Sequence, residues 1–366
     1  MDNSIKDDIF SLEEEKLFVE ADSPEVPPAD IVAFSELRSV ADLARMRSNG
    51  QLVIDPDFQR EFVWRSPEQT RFIDSLIKQL PIPSICLSLD YKTQTWQVID
   101  GLQRISTVVR FLDISSGWRL SRLDDINQDI SGRLVSEFCD DGTQLGMYRR
   151  IVENTTIPIN VLRCDYSNVE HQNYIFEIFH RLNSGGRPLS NQEIRNCIYS
   201  GSFNTLINTL NKNEKWLRVS KLKTPVSHRY KGQEMILRFF AFFGSYEEYT
   251  GRLAKFLNTY MSEHKNESSD WLNGREEIFN RTIDVVNDSL GEEAHGKSLA
   301  LFEAFLVGIA RNIERAEGLP VGRLQSGFAE LDQSPVFSQE SLSEGLASRE
   351  KLVARLKTAE QVIRNV

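Results

Sequence analysis

The chain has few of the residues that build covalent or metal-bound scaffolds. Its four cysteines, Cys86, Cys139, Cys164 and Cys197, are scattered over 366 residues with no C-x-x-C pair, so neither a disulfide framework nor a zinc site is expected. The five histidines, His171, His180, His228, His264 and His295, show no metal-ligand spacing and read as surface or internally satisfied side chains. No apolar stretch approaches the roughly 20 residues that span a bilayer, and no secretory leader is recognisable. A cytoplasmic protein without a membrane segment is expected. The G-x-x-x-x-G-K-[S/T] phosphate loop is missing as well, so any nucleotide chemistry must use a site of another design. No internal repeat is found.

What is present is length enough for two domains with ample core and an uneven charge. The formal net charge is −10. Residues 1–30 hold ten Asp or Glu against Lys6 and Lys16, a local balance of −8, which leaves −2 for the rest of the chain. This segment, with Pro24, Pro27 and Pro28 near its end, reads as an acidic flexible tail; a docking or autoinhibitory arm over a basic groove is the alternative. The opposite extreme lies at 212–231. There Lys212, Lys215, Arg218, Lys221, Lys223, Arg229 and Lys231 face only Glu214, a balance of +6. With Trp216, His228 and Tyr230 interleaved, the window could follow a nucleic-acid backbone and stack on bases, or it could be a solvated face.

Periodicity predicts an α+β protein: an α/β domain over 31–165 and a helical domain over 166–366. A helix or helix-turn is expected over 35–49, closing at Gly50, and a short strand over 52–54. A second helix over 66–80 has Ser66 as its cap, Pro67 in its first turn and Gln69 to complete a capping box. Its buried stripe is Phe72, Ile73, Leu76, Ile77 and Leu80, and Pro81 and Pro83 stop it. Residues 85–89 and 96–99 read as a hairpin, 113–155 as irregular, and 157–164 as a strand that Pro158 marks as an edge strand or opens. A helix over 169–182 follows. The next starts at Ser190, with Glu193 as capping-box partner and a Leu189–Ile194 staple. Met235, Ile236, Phe239, Phe240, Phe242 and Phe243 form a core stripe, and further helices are expected over 299–313 and 352–363.

The most informative run is Val98-Ile99-Asp100-Gly101-Leu102-Gln103-Arg104-Ile105. It places a carboxylate, a glycine turn, an amide and a guanidinium where a strand becomes a helix whose buried face is Leu102, Ile105, Val108, Val109 and Leu112. Free N–H groups and the positive end of the helix dipole gather there, and Arg104 adds a fork suited to phosphate oxygens. Asp100 could hold Mg2+ or orient a water, with Gln103 as its neutral partner. The plainer alternative is that Asp100 caps the helix and Asp-Gly is a turn. Residues 183–190, with Arg181, Arg187 and Arg195 around Asn183 and two glycines, admit two readings as well: a phosphate or base cradle, or a glycine stop followed by a capped helix.

A further landmark is Pro56-Asp57-Phe58-Gln59-Arg60-Glu61-Phe62-Val63-Trp64. An arm of the form Phe-Gln-Arg-x-x-Val-Trp, then the Asp-Gly-x-Gln-Arg turn, then Phe179-His180-Arg181-Leu182-Asn183-Ser184-Gly185-Gly186-Arg187-Pro188-Leu189-Ser190 resembles the N-terminal domain family of GmrSD-type restriction endonucleases over about residues 35–240. The resemblance implies a ParB- and sulfiredoxin-like core, and nucleotide binding and hydrolysis in defence against foreign DNA. It implies Asp100, Gln103 and Arg104 as catalytic residues, with Asp100 facing a metal. Gln59, Arg60, Trp64, Gly101, Arg181, Asn183, Ser184, Gly185 and Gly186 are then the nucleotide contacts, and the 183–190 loop is expected to complete the site. Leu102 stands where the family has its first Gln, leaving hydrolysis less secure than binding unless Leu102 simply packs inward. Relatives carry an HNH-type nuclease, of which the C-terminal third shows no His and Asn spacing, so a nuclease partner in trans is expected; a homo-oligomer is left open. Two functions stand: a nucleoside-triphosphate-using regulator of a DNA-restriction or anti-phage system, or a noncatalytic DNA-binding or protein-docking module on the same scaffold.

Overall fold

The computed structural model describes residues 28–54, 64–182, 190–222, 230–295, 298–342 and 345–366. The described chain divides into two compact units, one up to Pro188 and one from Leu189 to Val366. The protein is mixed α+β, with its sheet in the first unit and helices in the second.

In the first unit, strands β1 (Val32–Ser39), β2 (Leu52–Val53), β3 (Ile85–Asp90), β4 (Thr95–Asp100) and β5 (Thr156–Cys164) form one sheet in the order β1-β5-β3-β4-β2. β3 and β4 are the expected antiparallel hairpin, with Asp90 opposite Thr95 and a register shift after Cys86 that sets Cys86 opposite Asp100. β5 runs parallel to β3 and antiparallel to β1. Pro158 therefore lies in an interior strand and not at an edge. It pairs with Leu37 and sits one residue ahead of the β3 ladder, which begins at Ile159, so it opens that ladder without removing a donor from it.

The helices of this unit are α1 (Val40–Ser48), α2 (Ser66–Ile77), α3 (Leu102–Leu112), α4 (Gln144–Asn154) and α5 (Val169–Leu182). The expected 35–49 helix is shorter, because residues up to Ser39 pair with β5; Ser39 then caps α1 by accepting from the Asp42 N–H at 3.1 Å. α2 also departs from expectation. Its cap is Arg65, with no side-chain capping bond. Ser66 Oγ accepts from Trp118 Nε1 at 3.1 Å, and Gln69 turns its amide to the Trp64 carbonyl, so the expected capping box is absent. Leu80 lies beyond the end of α2 and is 50 % exposed, outside the buried stripe. The stretch expected to be irregular contains α4, capped by Thr143. Ile73, Leu76, Ile85, Leu87, Ile105, Val108, Phe111, Ile157 and Ile159 build a common core between sheet and helices.

The second unit is helical from Asn191 onward: α6 (Asn191–Ile198), α7 (Ser202–Leu210), α8 (Glu214–Val219), α9 (Lys231–Ser245), α10 (Leu253–Glu263), α11 (Ser269–Ser289), α12 (Leu299–Arg311), α13 (Ile313–Gly318), α14 (Val321–Gln333) and α15 (Arg349–Asn365). The capping box of α6 is formed as expected, Ser190 accepting from the Glu193 N–H and Glu193 from the Ser190 N–H. Phe239 and Phe240 of α9 meet Phe279 of α11 edge-on or tilted, the expected core stripe. One buried ion pair, Arg238 to Glu303, ties α9 to α12 at 2.5 Å.

Candidate functional site

The site begins with a backbone requirement. β4 ends at Asp100, and α3 can start immediately only if Gly101 takes φ 93°, the left-handed region. A Cβ there would lie 2.7 Å from Ile85 Cγ1 and 3.2 Å from an Arg104 guanidinium nitrogen. Glycine is demanded twice, by conformation and by space. No side chain caps α3, so Asp100 is not its N-cap and the first N–H groups of the helix are left open to an outside acceptor.

Asp100 instead accepts from Arg104, Nη2 to Oδ2, at 2.9 Å. The Asp100 side chain is 42 % exposed while that of Arg104 is 13 % exposed. Arg104 is further anchored by Nη1 to the Pro83 and Ser84 carbonyls. Burial lowers the Arg104 pKa, and the Asp100 carboxylate works against that shift. Across the hairpin, burial pushes the Cys86 thiol up to about 12, with the Asp100 charge adding to the effect, so this cysteine is an inert neighbour and not a nucleophile.

Gln103 is fixed by its carbonyl, which accepts from the Trp64 backbone N–H at 2.9 Å; the Trp64 carbonyl in turn accepts from Gln69 Nε2 at 2.9 Å. Committed in this way, Gln103 has its amide N–H groups left to offer a ligand. The Trp64 ring packs edge-on against Phe72, centroids 5.4 Å apart. Leu102 packs inward against the core, consistent with the inward alternative for that position.

From Gln103 a polar face runs along α3 through Ser106, Arg110 and Asp113, and it lines a pocket of about 390 Å3. Arg47 of α1 and Gln69 of α2 close its sides, and Ile54 and Val109 give it apolar surface. Arg110 donates to Gln69 Oε1 at 2.8 Å and lies over the Trp118 ring at 4.8 Å. Asp113 is tied to the Ser115 N–H and hydroxyl, which lower its pKa. Apart from Gln103, these pocket residues were missed as site residues in the sequence, although polar residues at spacings of three and four along α3 were a usable signal.

Other expected site residues are distributed as follows. Gln59 and Arg60, Asn183, Ser184, Gly185, Gly186 and Arg187, and Lys223, His228 and Arg229 lie outside the described residues, as do the Leu189 staple, residues 1–27 of the acidic segment and the loop half of the composite site. Arg181 is exposed at the end of α5 and meets Glu177 at 3.2 Å. Arg195 is no phosphate ligand: it is 1 % exposed and bonded to Asn258 and Glu234, an internal strut of the helical unit. In the basic window, Lys212, Lys215, Arg218 and Lys221 are exposed, and Lys215 pairs with Asp284 at 2.7 Å. Trp216 and Tyr230 are buried, so neither stacks on bases. Trp216 packs instead on Phe279 and Phe302.

Comparison with known families resolves the pattern: residues 40–200 match the GmrSD restriction endonuclease, N-terminal domain. Over this segment the chain is similar to that family. The match spans α1 to the end of α6, including the Asp100–Arg104 turn and the pocket. No curated protein and no solved structure matches the chain. Similarity to the GmrSD family over residues 40–200 suggests a role in a restriction or defence system. Among the described residues no helix is long and apolar enough to cross a membrane.

Proposed function

We propose that the GmrSD domain is the nucleoside-triphosphate-binding and hydrolysing regulatory half of a DNA-restriction or anti-phage system, built on a ParB-like core and acting with a nuclease supplied in trans. One observation carries the reading: two residues after the Asp100–Gly101 turn, Gln103 begins a polar face of α3 that lines a pocket of about 390 Å3. Ligand pockets of roughly 300–1,000 Å3 with a few convergent polar groups hold small molecules. In this reading the open N–H groups of α3 and the Gln103 amide donate to phosphate oxygens. Arg104 positions Asp100, whose carboxylate handles metal or water.

The donor set fits Mg2+ in one mode. Among the described residues no three His, Cys, Asp or Glu side chains gather into a cage. Mg2+ commonly uses one or two carboxylates together with substrate phosphates, and the exposed Asp100 suits that mode. Bound there, the ion would neutralise charge on the phosphates. Lys212, Lys215, Arg218 and Lys221 present positive charge suited to a DNA backbone, without the base stacking that Trp216 and Tyr230 would have supplied.

The noncatalytic alternative starts from Leu102, which stands where the family has an amide, but the inward packing of Leu102 against the core removes most of that argument. A thermal-shift panel of ATP, GTP, CTP and UTP with Mg2+ separates the two, because a ligand of the folded state raises apparent stability by mass action. The proposal expects a shift with at least one nucleotide, retained in Asp100→Asn, and phosphate release that Asp100→Asn abolishes. No shift with any nucleotide rejects it. A shift without phosphate release leaves a binding module.

A further inference from the structure

Resting on the nucleotide reading, we infer that the polyphosphate chain of the ligand is gripped by Arg47 and Arg110 inside the α3 pocket, and not by Arg104 of the Asp-Gly-x-Gln-Arg turn. Arg104 is spent within the protein: its side chain is 13 % exposed, and its guanidinium is bonded to Asp100 and to two backbone carbonyls. It does not line the pocket.

Arg47 and Arg110 do line it, and among the described residues neither has a carboxylate partner within 4.0 Å. Most of their kind here do: Arg38, Arg45, Arg71, Arg104, Arg149 and Arg150 of the same unit are all ion-paired. Arg110 is held ready by Gln69 and the Trp118 face, so little freedom is lost when it meets an anion. Among the described lining residues Asp113 is the one carboxylate, and its Oδ1 is occupied by Ser115. Two unpaired guanidiniums around one concavity repel one another, and an anion of at least two charges relieves that repulsion while taking charge-assisted hydrogen bonds from both.

The pocket's length agrees. Gln103 and Arg110 are seven residues apart on α3, about 10 Å along the axis, a span for a chain of phosphates whose near end meets the Gln103 amide beside the Asp100 turn. Ile54 and Val109 add apolar surface for an uncharged part of the ligand. A DNA backbone has the same chemistry but presents its phosphates on a wide convex surface, a poor fit to a concave pocket.

Calorimetric titration of the full chain with inorganic tripolyphosphate, with each nucleoside triphosphate and Mg2+, and with a short DNA duplex tests this. Arg47→Gln and Arg110→Gln should each weaken tripolyphosphate and nucleotide binding roughly 10- to 100-fold. Arg45→Gln, which removes an exposed charge from the same helix outside the pocket, should change neither by more than about twofold. Among the described residues the Arg47 side chain makes no hydrogen bond or ion pair, so its variant reports binding even if Arg110→Gln unfolds. Unchanged tripolyphosphate affinity in Arg47→Gln, equal weakening in Arg45→Gln, or duplex binding through these arginines without tripolyphosphate binding overturns the inference. Nucleotide binding that ignores both arginines overturns it and leaves the proposed function standing. Tripolyphosphate binding through them with no nucleotide bound does the reverse, and a wild-type chain that binds neither defeats both.

Discussion

Gly101→Ala perturbs the site at its root. An alanine forced to φ 93° pays the left-handed penalty, about 1–2 kcal/mol. Its Cβ also stands 2.7 Å from Cγ1 of Ile85, a fully buried core residue on β3, and crowding of that kind costs about 1–3 kcal/mol. The sum is a loss of about 2–5 kcal/mol. Gly50→Ala is the matched control: Gly50 also has positive φ, 71°, but nothing lies within 4 Å of its Cβ position, so it should lose only about 1–2 kcal/mol. Because the chain has two units, a single unfolding free energy would mix them. Native-state hydrogen exchange of β3 and β4 amides reads this unit alone. An equal loss in the two variants would refute the crowding at Ile85, and no loss at Gly101 would refute the turn itself.

Three other expectations follow from the same physics. Glu303→Ala removes the carboxylate that meets the buried Arg238 and should cost about 3–5 kcal/mol, read from exchange of α9 and α12 amides, whereas Arg238→Met with Glu303→Leu should recover most of it; a single variant as stable as wild type would contradict this. Trp216→Ala should destabilise the helical unit by about 3–5 kcal/mol, while Lys215→Ala should leave stability almost unchanged and weaken DNA binding at low salt, a gel-shift comparison that fails if Trp216→Phe weakens DNA binding as much. The third concerns acid. Burial pushes the Asp165 pKa up, but Lys92 and Ser167 pull harder and bring it to about 2. A depressed carboxylate stabilises the fold above its ordinary pKa, and the contribution disappears as pH falls through the window from about 4 to about 2; Asp165→Asn should flatten the loss of stability across that window, and an unchanged acid profile would contradict the assignment.

The elements nearest the site were legible because their signals are local. The β3–β4 hairpin, the start of α3 after Gly101 and the helix Val169–Leu182 each follow from an apolar period bounded by a turn residue. β1 was not legible, since most of its residues are exposed and it lacks the alternation of a half-buried strand; only its pairing with β5, more than a hundred residues away, makes it one. α2 shows the limit of cap rules. Ser66 and Gln69 have the right spacing, yet Trp118 and Trp64 offer them tertiary partners that win. Arg195 and Trp216 looked functional for their charge and ring, and burial, invisible in a local window, made them structural. The Asp100–Arg104 bond could be read from i, i+4 spacing, but the pocket could not, because Arg47 reaches it from another helix.

Amide exchange on the full chain, with and without a saturating nucleoside triphosphate and Mg2+, tests the central claim most directly. Bound nucleotide should slow exchange in residues 100–113 and around residues 47–54, which carry the turn and the pocket lining, and leave residues 299–311 of α12 unchanged. Exchange that is identical with every nucleotide, or protection confined to the helical unit, would contradict it.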